Sequence, residues 1–271
     1  MPSKIAILGF GPAAAFAARA ASDMGCQVVI HCTLYGSYPP GAFWFHELPP
    51  SMFDEGSFKL HDIAIRGIGT PKEYSRRQWG NPEIPNSFPR SKEQTHDTGY
   101  SPKEVWDHIV PQDVEVLLSA YNFSDADVRD LASGYDLVLQ SFPSKTHLSQ
   151  QPVYLPYFML HGDDEFGGSK GNVVIYNGKD DDSIVVREAI LFGKHYMEFP
   201  KGREWEDIKR RMDVRNMDAV VLRDMQPSTI PVRQPVETKI RYIGRWACWD
   251  RTKLAHESYE DTLEFIKELE R

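Results

Sequence analysis

The chain has 271 residues, which holds one large domain or two closely fused ones. Its 41% hydrophobic and 26% charged residues exclude wholesale disorder, and its net charge of −8 excludes a global attraction to nucleic acid or an anionic membrane. No stretch reaches the roughly 20 apolar residues of a membrane-spanning helix, and Cys26, Cys32 and Cys248 lack metal-knuckle or redox spacing, so a cytoplasmic protein is expected.

Lys4 to Leu8 is a continuous apolar run, the pattern of a parallel strand covered on both faces. A glycine turn follows, then the alanine-rich run Ala13 to Met24, helical by propensity and closed by Gly25. The glycines and Pro12 interrupt the apolar run, so this segment reads as strand and helix rather than as a signal peptide. Gln27 to Cys32 completes a βαβ unit. From Leu34 to about Arg90 the chain is dense in Gly, Pro and aromatics, with one strand, Lys59 to Arg66, and one helix, Pro71 to Trp79. Ser101 to Ile109 starts a helix with a Ser cap and Glu104 at the capping-box position, and a short helix is expected over Val114 to Leu118. Tyr135 to Gln140 is a further buried strand. Asn172 to Tyr176, Ser183 to Phe192 and Ala219 to Leu222 suggest a second, mainly antiparallel sheet. Lys239 to Ile243 leads into an amphipathic helix from about His256. The expected fold class is α/β: a Rossmann-type FAD/NAD(P)-binding domain over 1–150 and 235–271, with a smaller, mainly antiparallel β domain over 151–234. Lys209, Arg210 and Arg211, and likewise Arg241, Arg245 and Arg251, read as solvated charge.

The turn Gly9-Phe10-Gly11-Pro12-Ala13-Ala14 carries a specific chemistry. Gly9 allows the bend out of the strand, Gly11 lets backbone approach a phosphate, and Ala14 permits close helix–strand packing. The helix then presents free N–H groups and a partial positive charge to an anion.

The run from Lys4 to His31 resembles the N-terminus of FAD-dependent oxidoreductases of the glutathione-reductase-like fold. Tyr135 to Pro143 looks like the strand that leads back to their nucleotide domain, and Ile243 to Ile266 looks like the closing motif of amine oxidases and UDP-galactopyranose mutases. The whole chain also resembles small oxidoreductase-like proteins of bacteriophages. The resemblance implies FAD as cofactor, with Gly9, Gly11, Pro12, Ala13 and Ala14 at the pyrophosphate and Gly244, Arg245 and Trp246 as further contacts. It departs where those enzymes carry a ribose-binding carboxylate: His31, Cys32 and Thr33 stand there, which keeps NAD(P) as the alternative.

The aromatic loop Tyr38 to His46 falls where such enzymes bring a Gly-rich loop under the flavin, which makes Gly41, Phe43 and Trp44 cofactor candidates and His46 a proton-shuttle candidate. The competing reading packs Phe43 and Phe45 into a core. Arg187 and His195 are candidates for the substrate wall, Arg187 for an anionic group. Trp246 and Trp249 border the flavin or anchor the terminal helix. Asp163, Asp164 and Glu165 beside His161 read as a solvated loop, so no metal is expected. Three functions follow: hydride transfer from a small or anionic substrate to flavin, with O₂ or a nicotinamide restoring it; a flavin-dependent mutase or transferase without net redox; or a dinucleotide-binding protein without turnover. The partner expected is a small-molecule substrate, with no membrane or nucleic acid, and an oligomer is compatible with the sequence.

Overall fold

A computed structural model of the chain describes residues 2–33, 43–83, 88–89, 94–118, 124–142, 154–163, 171–179, 183–211, 218–225, 239–248 and 253–271. Strand β1 (Lys4–Leu8) pairs in parallel with β2 (Gln27–Cys32) on one side and with β6 (Leu137–Gln140) on the other. Strands β5 (Glu115–Leu118) and β12 (Ile240–Tyr242) extend this to a parallel sheet of order β12-β6-β1-β2-β5. Its central strands are apolar throughout because both faces are covered. Ile5, Ile7, Val28 and Ile30 face helix α1 (Pro12–Asp23) and helix α8 (Glu257–Leu269), whereas Ala6, Leu8 and Val138 pack with Val128 of α5 (Asp125–Ala132) and Ala247 of α7 (Gly244–Cys248). Alanines on α1 let α8 approach closely.

The expected helix over Val114 to Leu118 is corrected by the structure. Five residues cannot sustain an isolated helix, and β2 offers Glu115–Leu118 an open edge, with Val29 opposite Glu115 and Cys32 opposite Leu118. The capping box expected at Ser101 and Glu104 is also absent: Ser101 caps α4 (Pro102–Ile109) without a side-chain bond, and Glu104 reaches His61 at 3.5 Å instead. A capping box forms at α5, between Ser124 and Asp127.

The second sheet has seven strands, β11-β7-β10-β9-β8-β3-β4. These are β3 (Leu60–Ile68), β4 (Thr95–Tyr100), β7 (Tyr154–Asp163), β8 (Asn172–Asn177), β9 (Arg187–Leu191), β10 (Lys194–Glu198) and β11 (Asp218–Met225). All neighbours are antiparallel except β3 and β8. Two of its strands, β3 and β4, come from residues before 150. Helix α2 (Met52–Glu55) belongs to the joint between the sheets, helix α3 (Pro71–Trp79) packs Tyr74 against Tyr176 of β8, and α6 (Trp205–Arg211) buries Ile208 beside Phe158 of β7.

Phe45 joins the two halves. It exchanges backbone hydrogen bonds with Tyr100 of β4, at 3.1 and 2.8 Å, while its ring meets Phe16 of α1 edge-on at 5.3 Å. Arg19 of α1 is buried beneath this joint, donating to the carbonyls of Ile109 and His108 and pairing with Glu55 at 2.6 Å. Among the described residues no helix is long and apolar enough to cross a membrane.

Candidate functional site

At the C-terminal end of β1 the chain turns through Gly9, whose φ of 101° favours glycine. Its N–H donates to the His31 carbonyl at 2.8 Å, and a Cβ on it would stand 2.3 Å from Ser141 Oγ. The Ser141 hydroxyl itself donates to the Leu8 carbonyl at 2.7 Å. The ends of β1, β2 and β6 are therefore drawn together around a residue with no room for a side chain. Gly11 differs. It is extended (φ −110°) and caps α1 with no side-chain hydrogen bond, and a Cβ built on it meets nothing within 4 Å. Pro12 opens the helix, so the donors of its first turn include the N–H groups of Ala13 and Ala14, with no side chain capping them. Ala14 is fully buried against the sheet.

The chain end closes on the same turn. Ile243 N–H donates to the Gln140 carbonyl at 3.0 Å, and Gly244 follows with φ 71°. A Cβ on Gly244 would lie 2.4 Å from the Ala13 methyl and 3.5 Å from Ser258 Oγ. Ser258 is 1% exposed and its hydroxyl has no hydrogen-bond partner among the described residues. Sequence reasoning missed Ser258, which no pattern separates from any other serine in a first helical turn. Arg245 is exposed on α7, its Nε donating to the Lys253 carbonyl at 3.3 Å. Gly41, Trp249 and the side chain of Trp246 lie outside the described residues.

At the end of β2, His31 and Cys32 are buried and Thr33 is exposed. His31 Nε2 lies 2.9 Å from the Tyr135 hydroxyl, and burial pushes the imidazole pKa down and that of Tyr135 up. Cys32, 2% exposed, directs its sulfur towards the Leu117 carbonyl of β5 at 4.0 Å. Of the three side chains, the Thr33 hydroxyl is the one that reaches the surface.

Phe43 to His46 runs beside β4. Phe43 and Phe45 meet edge-on at 5.7 Å, and Phe45 is a core residue. Trp44 Nε1 donates to Asp97 Oδ2 at 3.1 Å; the same oxygen is 3.4 Å from His46 Nδ1. Gly99 makes this possible, because a Cβ there would stand 2.2 Å from the Trp44 ring. His256, just before α8, brings its ring centroid to 6.4 Å from that of His46. Two residues before Ser258 in the chain, His256 thus places the aromatic segment and the glycine turn at the same end of α8.

Arg187 and His195 are not brought to this cluster. Arg187 Nη1 pairs with Glu198 Oε1 at 2.7 Å, the side chains 15% and 9% exposed, and its guanidinium lies over the Tyr176 ring. His195 Nε2 is 2.7 Å from Glu188 Oε1. Strands β9 and β10 stand three and four places from β4 in the sheet, about 14 and 19 Å at the usual strand spacing.

No family model matches the sequence, and no curated protein matches it. Solved structures do. L-proline dehydrogenase from P. horikoshii gives a TM-score of 0.57 at 10% identity, over 98% of this chain and 94% of that one. The 2,6-dihydroxypyridine-3-hydroxylase from Arthrobacter nicotinovorans gives 0.51 at 11% identity, over 100% and 84%. At these identities the likeness is one of fold: a Rossmann-type α/β arrangement with a parallel sheet and a second, mixed sheet.

Proposed function

We propose that the chain is a flavoprotein of the glutathione-reductase-like kind, holding the pyrophosphate of FAD at the glycine turn and oxidising a small substrate. The observation that carries this reading is the open space beside Gly11. Among the described residues the turn has a helix start without a side-chain cap, no atom within 4 Å of where a Gly11 Cβ would be, and a buried hydroxyl on Ser258 that meets no partner nearby. Those features suit an anion that accepts hydrogen bonds.

The residues that would hold the dinucleotide are Gly11, Ala13 and Ala14 through backbone, Arg245 by charge, and Thr33 through a ribose hydroxyl. When bound, the flavin supplies a two-electron acceptor for a hydride leaving a substrate C–H bond. His46, whose Nδ1 lies 3.4 Å from Asp97 Oδ2, would take the proton released from the substrate at Nε2. Phe43 and Trp44 would exclude water from that contact. The division into a nucleotide-binding part and a substrate-side sheet belongs to the same proposal, as do a cytoplasmic setting and a small-molecule partner.

One observation favours a second reading, in which the dinucleotide is bound without turnover: Arg187 and His195 already face carboxylates of their own sheet. Flavin-fluorescence titration followed by anaerobic reduction separates the two. Saturable uptake of one FAD per chain, then bleaching by a metabolite, is expected for the enzyme. Uptake without bleaching by any metabolite selects the second reading, and NADP binding in preference to FAD overturns the flavin assignment.

A further inference from the structure

A carboxylate at the end of the second strand of a dinucleotide fold does two things: it accepts a charge-assisted hydrogen bond from the ribose 2′-hydroxyl, and it repels a 2′-phosphate. Neither is available from β2 here. Its last residues, His31 and Cys32, are 8% and 2% exposed and turn to the Tyr135 hydroxyl and the Leu117 carbonyl, so the side chain presented to solvent at the strand tip is that of Thr33. After Thr33 the sequence carries no acid before Glu47 and no lysine or arginine before Lys59. The adjacent tip, on β5, is also neutral. Leu118 lies opposite Cys32 and is 68% exposed, whereas Glu115 lies three residues back, about 10 Å down the strand. Beyond Leu118 the next acids are Asp125 and Asp127 in the first turn of α5, where the Asp127 carboxylate accepts from the Ser124 N–H and hydroxyl at 2.8 and 2.7 Å.

We propose that Thr33 holds the adenosine half of the dinucleotide without discriminating a 2′-hydroxyl from a 2′-phosphate, so that 2′-phosphorylated and unphosphorylated adenine nucleotides are both ligands. This rests on the dinucleotide reading above and adds to it the residue that sets ribose specificity. A threonine hydroxyl differs from a carboxylate in kind, because it accepts from a ribose hydroxyl or donates to a phosphate oxygen. Exposure of Thr33 leaves a phosphate beside it in contact with water, which spares that group the cost of burying an unpaired charge. Burial holds the His31 pKa below its ordinary value, so at neutral pH the imidazole adds no positive charge that would favour the phosphate.

The test is calorimetric titration of the full chain at neutral pH with ADP-ribose and with 2′-phospho-ADP-ribose, repeated on Thr33→Glu, with FAD uptake measured on the same preparations. The parent is expected to bind the two ligands within about threefold of each other, and Thr33→Glu to bind the 2′-phosphorylated one at least about tenfold more weakly than ADP-ribose. A preference of about tenfold or more in the parent, for either ligand, overturns the inference and leaves the dinucleotide reading standing, since a charged group outside β2 would then read the ribose. Equal binding of both ligands by Thr33→Glu also overturns it, because residue 33 would then lie away from the ribose. If the parent binds neither ligand the inference falls as well: FAD uptake by that preparation keeps the flavin reading, and no uptake removes both.

Discussion

Gly9 and Gly11 stand two residues apart and answer to different forces. Gly9 combines a left-handed backbone with a Ser141 hydroxyl where its side chain would be, so Gly9→Ala should cost about 2 kcal/mol or more of stability. Gly11→Ala, in extended backbone facing open space, should stay within about 0.5 kcal/mol of the parent. Equal denaturant midpoints for the two variants would contradict this division of roles. The glycine spacing was legible because it reports backbone needs directly. The end of β2 was not: a run of apolar residues does not tell which of His31, Cys32 and Thr33 escapes burial. His31 has a consequence of its own. Its folded-state pKa lies below the unfolded value of about 6.5, so the folded protein binds fewer protons. Stability is then unaffected above that pH and declines as pH falls through about 6.5 towards the folded value. The thermal midpoint should drop between pH 7.5 and 5.5 by more in the parent than in His31→Gln; parallel profiles would remove His31 as the cause.

Elements were legible where their pattern is local. The βαβ opening, α3 and the terminal helix show their patterns in the sequence, and α3 spans the expected Pro71–Trp79, ending at Gly80 in αL conformation. β4 and β7 do not, since Thr95–Tyr100 is polar and Tyr154–Asp163 ends among glycine and acid residues; both are fixed by their neighbours in the sheet. Asp97 entered the site through β4, and so was missed with it. Cross-strand register also redefines Arg187. It sits directly opposite Glu198 between β9 and β10, and the pair is largely buried. Arg187→Ala leaves that carboxylate unpaired and should cost about 3–5 kcal/mol, most of it regained in R187L/E198L. An exposed substrate anchor would cost less than about 1 kcal/mol. Urea midpoints of the three proteins decide between them.

The whole molecule is organised by convergence of its two chain ends. β12 lies beside β6, Gly244 presses on Ala13, and α8 lies along α1, so the first and last segments build one sheet and meet at the glycine turn. A chain end returning to the first segment was expected from the resemblance of Ile243 to Ile266 to a closing motif, not from a local pattern. The aromatic segment was half legible: Phe45 plugs the joint with α1, as the core reading expected, while Trp44 and His46 turn to Asp97, a partner that no sequence pattern announced. The central claim is that a dinucleotide pyrophosphate occupies the space beside Gly11, and it is tested most directly by FAD titration of Gly11→Val against the parent, with thermal midpoints measured on both. A side chain there meets no protein atom within 4 Å. The account predicts an unchanged fold and midpoint in the apoprotein with FAD affinity lowered at least about a hundredfold, roughly 2.7 kcal/mol. Equal FAD affinity in the two proteins would contradict it.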